Sequence, residues 1–345
     1  MDELTLLRSV RNDEEAVDAE TLARGRAKLL ARAGIEDSPR SKERVRRGSA
    51  VRRVRWVGVG ALVAGGVAAV MVVGNVTGFA GLQRGADPAA AAVLNEAASR
   101  TIRTSDPVLR PGQYLEVDTK AAYLGAVVTE RDSASFLSSQ DSQLYIPANA
   151  TTGTWIWVRD AERPLKTFGV ASADAAKAAN NPGAYVAAKG GAFYGSPANP
   201  SPAELASLSR DPGALLRHIY TVTNGQGPSR DGEALVWIAD TLRSGIVPAD
   251  LRAALYKAAA NIPGVEVTDR EANLDGRIGV AIGRAESDGT RQELIIDQST
   301  GLLIGEREVA TGKAAAEANV PNGTAIGWTA VRTSIVDVAP GRGSK

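Results

Sequence analysis

The side chains that could carry out chemistry are few in this sequence of 345 residues. It has no cysteine, which excludes disulfides, thiolate metal ligands and a cysteine nucleophile, and its one histidine, His218, excludes a multi-histidine metal site. A serine triad could pair His218 with Ser209 and Asp211, but the G-x-S-x-G turn that presents a nucleophilic serine is missing. Because His218 lies at the edge of an apolar helical stripe, we predict a partly buried structural histidine.

Carboxylates and glycines give no stronger indication of an active site. Asp231 and Glu233 fall at a predicted helix start, where acidic groups stabilise the helix dipole. The glycines of residues 58–66 and the pair Gly190-Gly191 lack the Lys-Ser/Thr that follows in a phosphate-binding loop. We therefore expect no enzymatic activity and no cofactor, although no spacing excludes a carboxylate pair of the glycosidase type.

The aromatic residues indicate one possible binding surface. Residues 154–159 read as a strand that is apolar on both faces, with Trp155 and Trp157 on one face, which is typical of a central strand. Both tryptophans fit a protein core. The face that they share is also the candidate surface for a hydrophobic ligand or a lipid.

The longest apolar stretch of the chain runs over residues 56–79. These 24 residues contain no charged residue and no histidine, and as a helix they would be roughly 36 Å long, enough to cross a bilayer with some tilt. A cleaved signal peptide is the alternative, with Gly78-Phe79-Ala80 as a small-x-small cleavage site. The 55 residues that precede the stretch are too long for a signal peptide, so we predict an uncleaved transmembrane signal anchor.

Charge predicts the orientation of this anchor. Residues 38–55 carry eight basic residues against one acidic residue, whereas residues 80–99 carry one basic residue. The basic residues closest to the apolar stretch are Arg44, Arg46, Arg47, Arg52, Arg53 and Arg55. By the positive-inside rule the N-terminus is cytoplasmic and the C-terminal part lies outside the membrane. The same arginines suit anionic lipid headgroups, and with a net charge of +1 for the whole chain we expect no nucleic-acid partner.

The cytoplasmic part is predicted to be small and helical. Apolar residues recur at helical spacing within residues 1–37, which indicates short amphipathic helices that lack a core of their own. Such helices use a partner or the bilayer surface, so a cytoplasmic regulatory protein is a possible partner, and a weakly ordered tail is the alternative. Residues 38–55 form a basic juxtamembrane connector, and residues 80–88 form an outer linker.

Residues 89–340 are predicted to form an extracytoplasmic α+β domain. A capped helix at Asp87-Pro88 precedes strands at 113–119, 122–130, 144–146 and 154–159, with loops or a helical excursion over 133–142 and 171–181. Helices at 201–204, 211–223, 231–242 and 248–260 follow, and then strands at 265–268, 277–285, 290–297, 302–310 and 324–338, which are separated by turn residues such as Asp275-Gly276. Strands joined by short turns are antiparallel, so we predict a curved antiparallel sheet with helices on one face.

This order of elements, together with the segment Ile295-Ile296-Asp297-Gln298-Ser299-Thr300-Gly301-Leu302-Leu303, resembles the lipoprotein-carrier half-barrel of LolA and RseB. The whole chain is similar to a family of actinobacterial single-pass membrane proteins often encoded beside extracytoplasmic-function sigma factors. The similarity lies in residues 1–11, 25–30, 235–267 and 275–284 and in the arginine-flanked span. It implies a membrane location and a regulatory role, and it implies no catalytic residues.

One departure from membrane anti-sigma factors of the zinc class bears on mechanism. Those proteins carry a His and Cys motif in the cytoplasmic domain, whereas this chain has no cysteine and its histidine lies in the predicted outer domain. Zinc-type sigma-factor binding is therefore excluded. We predict a single-pass protein with an extracytoplasmic sensing or interaction domain; the alternative is an extracytoplasmic half-barrel that binds a lipid or another hydrophobic ligand.

Overall fold

The computed structural model describes residues 85–104, 106–128, 133–168, 181–196 and 199–342. The predicted cytoplasmic helices, the basic connector and the apolar stretch at 56–79 lie outside these residues. The described helices are α1 (Pro88–Arg103), α2 (Pro202–Ser207), α3 (Pro212–Val222), α4 (Arg230–Arg243), α5 (Ala249–Ala259) and α6 (Gly312–Glu317). Between α1 and α2 the chain forms strands β1 (Tyr114–Val128), β2 (Ser133–Ser139), β3 (Ser142–Pro147), β4 (Thr154–Arg159), β5 (Arg163–Phe168) and β6 (Ala184–Lys189). After α5 it forms β7 (Glu266–Leu274), β8 (Arg277–Ala285), β9 (Thr290–Ile296), β10 (Leu303–Ala310) and β11 (Thr324–Val336).

The strands form one antiparallel sheet, which confirms the predicted α+β class. The strand order is β6-β4-β3-β1-β11-β10-β9-β8-β7, and β2 pairs with both β1 and β5. The C-terminal meander from β7 to β11 has its predicted antiparallel pairing. Strand β4, predicted to be central, is paired on both sides but lies next to the edge strand β6.

The first half of the sheet contains longer strands than the sequence predicted. Strand β1 is one continuous strand of 15 residues, which pairs with β3 through residues 114–119 and with β2 through residues 122–128. The prediction of a polar loop or helical excursion at 133–142 is wrong, because residues 133–139 form β2. Two of its serines are buried with partners: the Ser135 hydroxyl donates to the Ala318 carbonyl at 2.5 Å, and the Ser138 hydroxyl donates to Glu162. These long-range partners make a serine-rich segment compatible with the core.

The helices α1, α3, α4 and α5 pack together on one face of the sheet around a large apolar core. The predicted cap of α1 is present, since the Asp87 side chain accepts from the Ala90 amide at 2.6 Å. At the start of α2, Ser201 and Glu204 form a capping box. At the C-terminal end of α1 a threonine, and not the neighbouring isoleucine, faces the core. Ile102 is 56% exposed, whereas Thr101 is buried and its hydroxyl accepts from Nε of Arg252 at 2.8 Å.

The other face of the sheet is covered in two places. Helix α6, which the sequence did not predict, packs against Leu124 and Ile326 on this second face. At the other end, the β7–β8 hairpin folds back over the sheet, and Asp275 at its tip lies 2.9 Å from Lys120 and 3.4 Å from Arg332. Apolar side chains fill the space beneath the hairpin, namely Ala272, Leu274, Ala281, Ile295, Ile304 and Ala330. Side chains of the protein itself thus fill the space between the β7–β8 hairpin and the sheet.

Within the described part of the chain, no helix combines the length and the apolar character that crossing a membrane requires.

One buried hydroxyl gives a test of the packing in the helical layer. Tyr256 of α5 is fully buried, and its hydroxyl has no hydrogen-bond partner among the described residues. Because an unsatisfied buried hydroxyl costs free energy, Tyr256→Phe is expected to raise the free energy of unfolding by about 1 kcal/mol. Tyr220→Phe is the matched control; it removes the hydrogen bond that the Tyr220 hydroxyl donates to Asp231 at 2.6 Å and is expected to lower stability by a similar amount. Urea denaturation of both variants measures the two effects, and a loss of stability in Tyr256→Phe would contradict this packing.

Candidate functional site

The tryptophan face predicted to hold an apolar ligand lies on the same side of the sheet as the helical layer. Trp155 has no exposed surface, and its Nε1 donates to the Ala150 carbonyl at 2.7 Å. The rings of Phe193 and Tyr194 lie over it, with centroids at 6.2 Å and 5.7 Å from the Trp155 ring. Trp157 is half-buried in the same cluster. Residues 190–195, which we call the covering segment, therefore cover Trp155, and only the Trp157 ring remains partly accessible on this face.

A glycine explains how this covering segment approaches so closely. Gly191 has a φ of 67°, a left-handed conformation that favours glycine. A Cβ at this position would lie 2.8 Å from the Trp155 ring. Both the backbone conformation and the close approach to Trp155 thus require glycine at position 191. This glycine allows the covering segment to pack directly on the aromatic cluster.

The opposite face of the same strands is accessible except at Tyr185, whose hydroxyl donates to the Pro340 carbonyl at 3.3 Å and whose ring lies 5.9 Å from the Arg342 guanidinium. The register of the strands organises this face into two rows. Successive residues along a strand alternate between faces, so residues that pair across neighbouring strands share a face. The first row consists of Ser334, Glu116, Tyr145, Ile156 and Ala187. The second consists of Arg332, Asp118, Gln143, Val158 and Tyr185. Apart from Val158, all are partly or fully exposed. We call these two rows the open face.

The open face is acidic and hydrogen-bonded at its centre. Glu116 accepts a hydrogen bond from the Ser334 hydroxyl at 2.9 Å and another from the hydroxyl of Tyr145. Burial, together with the adjacent Glu116 carboxylate, raises the pKa of Tyr145 to about 12, so the phenol remains a donor at neutral pH. Asp118 accepts from Nε2 of Gln143 at 3.4 Å. The neighbouring cations Lys120 and Arg332 pair with Asp275, and among the described residues no ion pair involves Glu116 or Asp118.

The triad residues do not form a catalytic arrangement. His218 is exposed on α3, so its predicted partial burial is wrong. The Ser209 hydroxyl accepts from the Asp211 amide at 3.1 Å, and the Asp211 side chain accepts from the Ala214 amide at 2.7 Å, so both residues organise the start of α3. Asp231 and Glu233 lie in the first turn of α4, as predicted. Within the described ranges, no cluster of three His, Asp or Glu side chains could hold a metal ion.

A shallow polar depression of about 350 Å³ opens between α3 and α4. It is lined by Tyr220, Thr221, Asn224 and Arg230, and the Arg230 guanidinium lies 3.7 Å from the centre of the Tyr220 ring. This stacking uses the face of the ring, and Tyr220 donates its hydroxyl to Asp231. Two of the four lining side chains, Tyr220 and Arg230, are therefore already engaged with each other.

Sequence reasoning missed the buried charged residues of the sheet. Glu293 is fully buried on β9, where its carboxylate contacts Nε of Arg291 at 2.8 Å and also contacts Arg307. Glu306 on β10 is 2% exposed, and burial raises the pKa of the nearby Glu308 to about 7, with the charges of Asp288 and Glu233 adding to the effect. From sequence alone, a glutamate within a strand is ordinarily predicted to point toward solvent. Only the pairing of distant strands reveals that these are enclosed.

Comparisons with protein-family models, curated proteins and solved structures find no match for this chain.

Proposed function

We propose that this chain is a single-pass membrane protein whose extracytoplasmic α+β domain binds a protein partner through its open face, and that it acts in envelope signalling. The anchor is the apolar stretch at 56–79, with Arg44, Arg46, Arg47, Arg52, Arg53 and Arg55 on the cytoplasmic side. The observation that carries the proposal is the pair of residue rows on the open face.

The composition of the open face fits protein recognition. Five neighbouring strands span about 19 Å at roughly 4.8 Å per strand, which is wide enough for one extended segment or a second sheet. Tyr145 supplies a rigid amphipathic ring, and tyrosine is enriched in protein interfaces. Glu116 and Asp118 are carboxylates without an ion-pair partner among the described residues, which suits a partner that presents lysine or arginine.

The entry of the chain into the domain suits transmission of a signal. The Ala86 amide donates to the Ala260 carbonyl at 3.0 Å, at the end of α5, and the Asp87 amide donates to the Val265 carbonyl at 2.8 Å, just before β7. The start of α1 is thus tied to the helical layer and to the sheet. Residue 85 follows the apolar stretch by six positions, a reach of about 20 Å at most. A displacement of the domain would be passed through the span to residues 1–37 and a cytoplasmic regulatory partner.

A second candidate is a hydrophobic or lipidated ligand at the Trp155 and Trp157 cluster. The observation that favours it is the half-buried ring of Trp157 beside three other aromatic rings. A ligand there must displace Phe193 and Tyr194 to reach Trp155. Native mass spectrometry of the full chain released from mild detergent tests this candidate, and the absence of any retained or loadable lipid would count against it.

Site-specific photocrosslinking tests the proposed partner surface. A photoreactive phenylalanine placed at Tyr145 in the full-length protein in cells is expected to yield a defined protein adduct, because this side chain lies at the centre of the open face. The matched control carries the same group at His218, which is exposed on the helical layer. Adducts of equal yield and identity at both positions, or none at Tyr145, would contradict the proposal.

A further inference from the structure

A group of ionisable side chains lies between α4 and the sheet, on the side away from the open face. It comprises Asp240 and Arg243 of α4, Glu306 of β10 and Tyr123 of β1, and we call it the Arg243 cluster. Asp240 accepts two hydrogen bonds from Arg243, at 2.8 Å from Nε and 2.5 Å from Nη2. Glu306 Oε1 also lies 2.8 Å from Nε of the same guanidinium. One cation is therefore shared by two carboxylates.

The two carboxylates have unequal shares of the arginine and unequal access to water. The Asp240 side chain is 29% exposed and contacts both Nε and Nη2 of Arg243. The Glu306 side chain is 2% exposed and contacts Nε alone. The other oxygen of Glu306 accepts from Nε2 of Gln292 at 3.0 Å, and the hydroxyl of the fully buried cross-strand neighbour Thr329 also contacts the carboxyl. With all three groups ionised the cluster would carry one excess negative charge at its most buried member.

Burying an uncompensated charge is costly, and a group in this position ordinarily neutralises. A protonated Glu306 removes the excess charge, while Oδ1 of Asp240 keeps both of its hydrogen bonds from Arg243. Oε2 continues to accept the hydrogen bond from Gln292, whereas Oε1, the oxygen nearer Arg243, has no hydrogen-bond partner among the described residues and can carry the proton. The arrangement thus provides a place for one proton.

We propose that the Arg243 cluster binds one proton on Glu306 in the folded protein at neutral pH, and that this proton makes the docking of α4 on the sheet sensitive to pH. Helix α4 contacts β8, β9, β10 and β11. It therefore joins the helical layer to four of the five strands of the C-terminal meander. Loss of the proton leaves a buried carboxylate beneath this helix, which weakens its attachment.

The charged and titratable groups around Glu306 act on its pKa in both directions. Burial raises the pKa of Glu306, the Arg243 charge lowers it, and the charges of Asp240 on α4 and Glu308 on β10 raise it. Tyr123 on β1 is neutral, since burial raises its pKa as well, and Tyr194 also faces the Arg243 charge from the covering segment. The net direction is upward from 4.5 because burial is the largest of these effects.

The sign of the pH effect follows from linkage. Because the folded state holds the proton more tightly than the unfolded state, the stabilisation is complete below the unfolded pKa of 4.5. It is lost as the pH rises toward the raised pKa of the folded state. Opening of α4 should therefore become easier between acidic and mildly alkaline pH, by up to about tenfold per pH unit for one linked proton.

Hydrogen exchange of the full-length protein in nanodiscs, followed by mass spectrometry of peptides from α4, tests this proposal. The protection factors of α4 amides, corrected for intrinsic exchange, are expected to fall between about pH 5 and pH 8 in the wild type. In Glu306→Gln the neutral amide replaces the protonated acid and the fall should be much shallower. Asp240→Asn removes the excess negative charge by a different route and serves as the second variant if Glu306→Gln does not fold.

Glu317→Gln is the matched control, because Glu317 is an exposed glutamate on α6 whose side chain is 68% exposed. It should retain the wild-type pH dependence. Glu308→Gln measures how much the neighbouring carboxyl of Glu308 contributes to the pH dependence of α4 protection. Most of the fall in the protection factors should remain in this variant. A wild-type protection factor independent of pH, or an unchanged slope in both Glu306→Gln and Asp240→Asn, would overturn the proposal.

Discussion

Replacing Trp155 by alanine is expected to lower the free energy of unfolding by about 4 kcal/mol, the range for removing a large aromatic side chain from a core. Trp155 is fully buried, and its loss would leave Phe193 and Tyr194 over a cavity on β4. The hydrogen bond from its Nε1 to the Ala150 carbonyl would be lost as well. Urea denaturation followed by circular dichroism measures the effect.

Trp157→Ala is the matched control for this prediction, because it removes the same side chain from the same strand at a half-buried position. Its expected cost is about 2 kcal/mol, since less apolar area leaves water when the ring packs. Equal losses in the two variants would show that the covering segment does not enclose Trp155 more than Trp157.

Replacing Arg243 by methionine is expected to destabilise the domain by about 3 kcal/mol at alkaline pH. The substitution keeps an apolar side chain of similar length but leaves Glu306 buried without its cation. At acidic pH the cost should be distinctly smaller, because a protonated Glu306 needs no cation. The denaturation midpoint of the variant, followed across pH, measures both parts of the prediction.

The double variant Arg243→Met with Glu306→Gln separates charge from packing in this prediction. Once Glu306 is neutral, the arginine no longer compensates a buried carboxylate, so the double variant should recover most of the lost stability at alkaline pH. A double variant as unstable as Arg243→Met alone would mean that the guanidinium acts through packing.

Local signals predicted the second half of the fold well. Asp275 and Gly276 have φ angles of 50° and 76°, as a two-residue hairpin turn of the Asp-Gly type requires. Helices α1, α2 and α3 each begin at an N-cap residue whose side chain accepts a hydrogen bond from the backbone amide three residues later. Such features depend on neighbours in the sequence, which is why the strands of the meander and helices α1 to α5 were predicted, whereas α6 was missed.

The remaining elements depend on contacts between distant parts of the chain. Strand β2 was missed because its serines gain partners only on folding, including the Ala318 carbonyl 183 residues away. The burial of Glu306 depends on Arg243 of a preceding helix. The open face required the register between β1, β3, β4, β6 and β11, so Tyr145 and Asp118 gave no signal of their own in the sequence.

Labelling of single introduced cysteines in intact cells tests most directly whether an extracytoplasmic domain engages a partner through the open face. The chain contains no cysteine, so Ala187→Cys on the open face and Arg217→Cys on α3 each report on one exposed position. With a membrane-impermeant maleimide we expect both to be labelled in intact cells, with Ala187→Cys clearly slower than Arg217→Cys, and equal rates after purification. No labelling of either position before the cells are permeabilised, or equal rates in cells, would contradict the proposed function.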